Sequence, residues 1–321
     1  PTRGMVLGKF MPPHRGHQYL LEFAQSFVDE LYIVVGTLER ESIPGALRHQ
    51  WVQALMPDAR VLHLTDENPQ YPEQAEDFWH IWRASLERVL PHPVDYVFAS
   101  DDYGERLARE LSAQFIQVDP HRSVFPISGT RIREDPWGHW SFITEPARPY
   151  FRRRVCICGP ESTGKSTLAE QLARKFDTVW VPEFARGWLE ARGGECTLDD
   201  MMPIARGQLA SEDALAPRAR RFLFCDTDAR ATCLWSDTLF GERPKGLTEL
   251  AQSRSYDLYL LMEPDLPWVE DEVRYRPDGG QAFYTAARKV LDAAGCAYAS
   301  IGGQGQARLE AAIEAIERHL G

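Results

Sequence analysis

A chain of 321 residues with 36 basic and 47 acidic side chains carries a net charge of −11, which opposes binding to a nucleic-acid backbone through phosphate contacts. Its longest apolar runs are strand-length, so no membrane span is expected, and the six cysteines (156, 158, 196, 225, 233 and 296) show no metal-ligand spacing. The length suits two domains, and reduced thiols with no secretory signal after Pro1 point to the cytoplasm.

The first strand, residues 5–10, runs into the loop Met11-Pro12-Pro13-His14-Arg15-Gly16-His17 and then a helix carrying Leu20, Leu21, Phe23, Ala24 and Phe27. His14 and His17 are three apart, so at a helix start both rings can face one way and offer donors to a phosphate that gains charge. Strands at 31–35, 61–64, 94–99 and 115–118 alternate with helices at 44–56, 73–90 and between the last two strands. Such alternation predicts a parallel sheet with helices on both faces and ligands at the carboxyl ends of the strands, where His14 and Asp101 fall. Farther on, Ile127-Ser128-Gly129-Thr130-Arg131-Ile132-Arg133 opens another helix; Ser128 and Thr130 are good N-caps, and Arg133 with Arg131 can neutralise a triphosphate.

Repeated prolines at 136, 146 and 149 break periodic structure, so residues 146–153 are expected to link a first domain (1–145) to a second (154–321). Neighbouring aromatics suggest a linker packed against a domain, and Arg152-Arg153-Arg154 reads as a solvated face. The second domain opens on an apolar strand that ends in Gly159-Pro160-Glu161-Ser162-Thr163-Gly164-Lys165-Ser166-Thr167, a P-loop followed by a helix with Leu168, Leu172 and Phe176. Its glycines let backbone N–H groups wrap a polyphosphate; Lys165 faces the β- and γ-phosphates and the Ser166 hydroxyl a Mg²⁺ ion. A strand at 178–183 ends in Glu183, placed to meet a substrate hydroxyl, with Arg186 near the transferring phosphoryl. Residues 221–226 form a Walker B strand whose Asp226, with Asp228 as a second acid, suits Mg²⁺. Strands at 256–262 and 297–301, with a helix to residue 320, complete a second α/β parallel sheet. Between them, residues 270–280 have the polarity of a lid in which Arg274 or Arg276 could reach the phosphates.

The string G-K-F-x-P-x-H-x-G-H at residues 8–17, paired with I-S-x-T-x-x-R at 127–133, resembles the signature of the nucleotidyltransferase superfamily. Followed by a P-loop domain in the same chain, it resembles the bifunctional NMN adenylyltransferase–ribosylnicotinamide kinases of the NadR type across nearly all 321 residues. The resemblance implies an ATP site at Gly8, Lys9, Phe10, His14, His17, Ser128, Thr130, Arg131 and Arg133, a role for Arg48, and nicotinamide stacking on Trp79 or Trp82. It further implies ATP as substrate, Mg²⁺ as cofactor, and nicotinamide riboside, NMN and NAD as substrates and product. Two departures stand out: Gly129 occupies a position that often holds Ser or Thr, and Pro182 one that usually holds an aromatic before the strand-end glutamate. Trp180, two residues earlier, is then the candidate aromatic. Two alternatives stay open: the same architecture acting on another nucleoside, or a nucleotide-sensing regulator. Some NadR-type proteins carry an added DNA-binding segment, whereas no helix-turn-helix precedes Pro1 and the acidic charge opposes DNA binding. The sequence leaves the oligomeric state open, a homo-oligomer included.

Overall fold

A computed structural model describes residues 1–266 and 280–321. The chain divides into two compact units, Pro1–Phe151 and Arg152–Gly321. In the first, β1 (Arg3–Gly8), α1 (Arg15–Phe27), β2 (Glu30–Gly36), α2 (Gly45–Leu55), β3 (Arg60–Leu64), α3 (Phe78–Val89), β4 (Tyr96–Ala99), α4 (Tyr103–Glu110) and β5 (Gln114–Gln117) precede the short helices α5 (Gly129–Glu134) and α6 (Arg148–Phe151). The sheet is parallel in the order β3-β2-β1-β4-β5, so the chain reverses direction across the sheet between β1 and β4. Alternate residues of the central strands feed opposite faces. Val6 and Ile33 pack with Leu21 of α1, while Met5 and Val34 pack with Leu86 of α3 and Leu107 of α4. Burial on both faces explains the nearly unbroken apolar strands.

The second unit runs β6 (Arg153–Cys158), α7 (Lys165–Lys175), β7 (Trp180–Val181), α8 (Phe184–Glu190), α9 (Met201–Leu215), β8 (Phe222–Asp226), α10 (Ala229–Phe240), α11 (Leu247–Gln252), β9 (Leu258–Met262), α12 (Gly280–Ala293), β10 (Tyr298–Ile301) and α13 (Gly305–Leu320). Its parallel order is β10-β9-β6-β8-β7, which puts the P-loop strand at the centre. Among the described residues no helix is long and apolar enough to cross a membrane.

Two expectations need correction. The strand expected over residues 178–183 is only Trp180–Val181, because Pro182 has no N–H for the ladder. The expected linker is not a separate segment either. Residues Glu145–Ala147 and Arg148–Phe151 are helical, and Ala147 and Phe151 are buried against Trp51, Ile127, Ile132, Trp140 and Ile143. The Thr144 hydroxyl donates to the Pro13 carbonyl at 3.1 Å, Ile143 bridges to His14, and the Trp137 indole N–H donates to the Phe151 carbonyl at 3.1 Å. Pro12-Pro13-His14 is therefore braced from behind by the end of its own unit. Phe151→Ala should accordingly destabilise the first unit by about 3–5 kcal/mol, the usual result of emptying a buried aromatic site. Thermal unfolding with hydrogen exchange should place the loss around residues 127–151; an unchanged melting temperature would contradict this packing.

Candidate active sites

The first unit holds a cavity of about 690 Å³ at the carboxyl end of its sheet, lined by Gly8, Lys9, Phe10, His14, His17, Ser128, Thr130 and Arg133 together with Trp79, Trp82 and Asp101. His14 caps α1, and its Nδ1 accepts the His17 backbone N–H at 3.3 Å. The His14 N–H donates in turn to His17 Nδ1 at 3.4 Å. This reciprocal cap stacks the rings with centroids 3.7 Å apart and 20° between planes. Burial, with the Arg122 guanidinium nearby, lowers the His14 pKa to about 4. Burial, then the charges of His14 and Arg122, holds His17 well below its ordinary value, although the Pro12 carbonyl opposes the shift. Both rings are therefore neutral at pH 7, and with Nδ1 accepting a backbone proton each carries its own proton on Nε2.

Ser128 caps α5 by accepting the Arg131 N–H at 3.3 Å. Arg133 donates to the Met11 carbonyl and, at 3.2 Å, to the Thr130 hydroxyl, so the two motifs, far apart in sequence, share one wall. A Cβ at Gly129 would lie 2.7 Å from the Met11 carbonyl oxygen, which explains why this chain has no side chain there. Two candidates fall outside the cavity. Arg131 is exposed and donates to the Pro126 carbonyl at 3.1 Å. Arg48 is fully buried, paired with Glu41 and donating to the Lys9, Ile43 and Gly36 carbonyls. Its work is to fix the turn after β1, while Glu41 also holds the Lys9 ammonium at 2.9 Å.

Both tryptophans line the cavity. Trp82 is pinned by its indole N–H on the Pro69 carbonyl at 2.8 Å; the Arg106 guanidinium lies 5.7 Å from the Trp79 ring. Sequence reasoning missed Arg122, which lines the same cavity and pairs with Asp101 at 3.4 Å. It sits in an irregular loop with φ of 51°, where no periodicity marks a residue; only its position after the end of β5 could have flagged it.

In the second unit a cavity of about 360 Å³ is lined by Gly159, residues 161–167, Glu183, Arg186 and an apolar wall that includes Met201, Ile204 and Trp235. Gly159 has φ of +136° and a Cβ there would be 2.9 Å from the Met262 carbonyl oxygen; Gly164, at φ of +78°, caps α7. Lys165 Nζ donates to the Pro160 carbonyl at 2.8 Å and the Thr163 hydroxyl to the same oxygen at 2.8 Å. Arg308 of α13 braces the loop by donating to the Thr163 carbonyl and pairing with Asp265.

The Ser166 hydroxyl donates to Asp226 Oδ2 at 2.5 Å, while Asp226 Oδ1 is buried and has no hydrogen-bond partner. Burial pushes the Asp226 carboxyl up to about 6 and the Glu183 charge adds to the shift, against the opposing pull of Lys165. An orphaned carboxylate oxygen beside a hydroxyl is a hard-oxygen donor set that fits Mg²⁺. Asp228 does not join it: one oxygen accepts the Ala231 N–H at 3.0 Å as the cap of α10, and the other accepts the Tyr259 hydroxyl at 2.9 Å. Trp180, the candidate aromatic, does not line the cavity; it packs against the core between the sheet and α7 and α13. Trp235 of α10 supplies the aromatic wall instead. Arg274 and Arg276 lie outside the described residues. Among those residues no cluster of three His, Cys, Asp or Glu side chains could hold a metal, so a cation here would rest on Ser166, Asp226 and phosphate oxygens.

The two cavities, each at the carboxyl end of a five-stranded parallel sheet, define a protein that joins a nucleotidyltransferase-type α/β unit to a P-loop α/β unit. The family model described as AAA domain matches residues 154–308. The trifunctional NAD biosynthesis/regulator protein NadR of Escherichia coli strain K12 is 30% identical over 295 residues, covering 85% of this chain and 72% of that protein. On that similarity the chain belongs to the NadR family. The nicotinamide-nucleotide adenylyltransferase of Methanoculleus marisnigri is 29% identical over 150 residues, 43% of this chain and 84% of that one. A NadR protein solved in complex with NAD and AMP-PNP shares the fold with a TM-score of 0.75 at 23% identity, covering 99% of this chain and 96% of that one.

The Asp226 carboxyl ionises near 6 in the folded chain, above its ordinary 3.8. The folded state therefore holds an extra proton between those values, and ionisation above pH 6 costs stability, about 3 kcal/mol at most. Asp226→Asn should raise the melting temperature of the nucleotide-free protein at pH 8. The gain should shrink as pH falls through 6 towards 5; a gain independent of pH would contradict the assignment.

Proposed function

We propose that this chain is a bifunctional enzyme of NAD salvage. In the second unit the 5′-hydroxyl of nicotinamide riboside attacks the γ-phosphorus of ATP, the bond to the β-phosphate oxygen breaks, and NMN and ADP leave. In the first unit a phosphate oxygen of NMN attacks the α-phosphorus of a second ATP, pyrophosphate leaves, and NAD forms. Membership of the NadR family, with one cavity lined by the histidine motif and another by the P-loop in one chain, supports the reading.

Glu183 at the cavity wall accepts the proton of the attacking hydroxyl, while Lys165 and Arg186 take up charge on the phosphoryl group. Ser166 and Asp226 would hold Mg²⁺, which when bound neutralises phosphate charge. The Trp235 face suits the pyridinium of nicotinamide riboside and answers the absence of an aromatic at Pro182. In the first unit the neutral imidazoles of His14 and His17 donate Nε2–H groups to the α-phosphate, and Arg133 and the start of α5 receive the departing pyrophosphate. Arg122, held to Asp101 by a single 3.4 Å contact, meets the phosphate of NMN, and Trp82, already locked, offers its ring to nicotinamide. Neutral rings donate to phosphate oxygens without holding the product by a full ion pair. The six free thiols, four of them buried, suit a cytoplasmic enzyme.

The test assays the full chain with ATP and either nicotinamide riboside or NMN, following ADP and pyrophosphate separately. His17→Ala should reduce adenylyl transfer by about 100-fold or more and leave the kinase within about twofold, and Lys165→Ala should do the reverse. Loss of both activities from either change in a folded protein would refute the division of labour.

A further inference from the structure

Gln208 lies on α9, 1% exposed, at the wall of the cavity of the second unit. Its Oε1 accepts the Phe184 backbone N–H at 3.0 Å, and its Nε2–H₂ donates to the carbonyls of both Asp226 and Thr227 at 3.4 Å. Phe184 follows Glu183 directly and starts α8. A single buried amide thus ties the backbone that presents the proton acceptor to the backbone that presents the Asp226 carboxylate.

These two ends need such a tie. The strand leading to Glu183 has only two ladder residues, and Pro182 ends it before the glutamate is reached, so the β7–β8 ladder stops short of the groups that matter. The neighbouring glycine makes the tie possible. A Cβ at Gly207 would lie 2.2 Å from the Phe184 ring, so only glycine lets α9 come close enough for Gln208 to reach. Geometry of this kind pays in rate, since a displacement of about 1 Å between reacting groups can cost on the order of 100-fold.

We infer that Gln208, set against α8 by Gly207, is a positioning residue for phosphoryl transfer that fixes Glu183 relative to Asp226. The inference rests on the kinase reading above. Gln208 donates to two backbone carbonyls and accepts one backbone proton, so nearly all its hydrogen-bonding capacity is committed to the frame and not to substrate.

The test uses the full chain and Gln208→Met, which keeps the length and removes all three hydrogen bonds. The expected result is a kinase kcat lower by about 30–100-fold, with KM for ATP and AMP-PNP affinity within about threefold, and adenylyl transfer unchanged. Gly207→Ala should reproduce the kcat-only loss by pushing Phe184. Gln208→Glu, which can still accept from Phe184, should lie between wild type and Gln208→Met. A folded Gln208→Met with kcat within threefold of wild type overturns the inference, and so does a loss of AMP-PNP affinity in proportion to kcat, which marks a merely structural role. If Gln208→Met fails to fold, Gly207→Ala decides on the same criteria. A wild-type chain that phosphorylates no nucleoside defeats the kinase reading itself, before any variant is compared.

Discussion

A parallel strand that turns into a helix leaves main-chain N–H groups with no partner at the helix start, and both units put their polar machinery at that junction. In the second unit the constraint is met by backbone that only glycine adopts easily: Gly159 and Gly164 both have positive φ, and Gly159 passes close to the end of β9. In the first it is met by side chains, because His14 and His17 each accept the other's backbone proton. That exchange orients two imidazoles and strips them of charge together, since rings packed this tightly and buried this deeply do not hold protons at neutral pH.

On the proposed reading, the units therefore handle phosphate by different physics. The first relies on neutral donors with cations spaced around them: Lys9 is engaged by Glu41, Arg133 is bound to the Met11 loop, and Arg122 is only loosely held by Asp101. The second concentrates charge. Lys165 faces a carboxylate that burial and Glu183 have made unusually basic, and that carboxylate keeps one oxygen unpartnered. An orphaned buried oxygen of this sort is unfavourable in the resting fold. On the proposed reading it is the cost of a site ready to receive a cation.

What could be read from the sequence was contiguous. The histidine string, the P-loop and the Ser128–Arg133 element carry their geometry within a few residues, and alternating apolar strands announced both sheets. What could not be read depended on chain segments meeting. In sequence Asp226 reads as the strand-end acid and Asp228 as its companion, yet only Asp226 lies beside Ser166, while Asp228 is consumed by a helix cap and Tyr259. Trp180 looked like the kinase aromatic because it shares a strand with Glu183, but that strand turns its face to the core and Trp235 arrives from another helix. Arg48 resembled a ligand residue and is a scaffold, since full burial with four backbone and side-chain partners leaves nothing for a substrate. Prolines at 136, 146 and 149 suggested a joint packed by its aromatics, but how far the first unit reaches, to Phe151, depended on contacts with Trp51 and Ile127 from elsewhere in the chain.

The brace behind Pro13 has an evolutionary corollary. Because Thr144, Ile143 and Phe151 shore up the turn that carries His14, the first unit needs its chain as far as Phe151, and the second begins at the next residue. Gene fission or fusion at this seam has almost no slack: a cut a few codons upstream would remove a buttress from the histidine turn, and one a few codons downstream would sever the central strand of the neighbouring sheet.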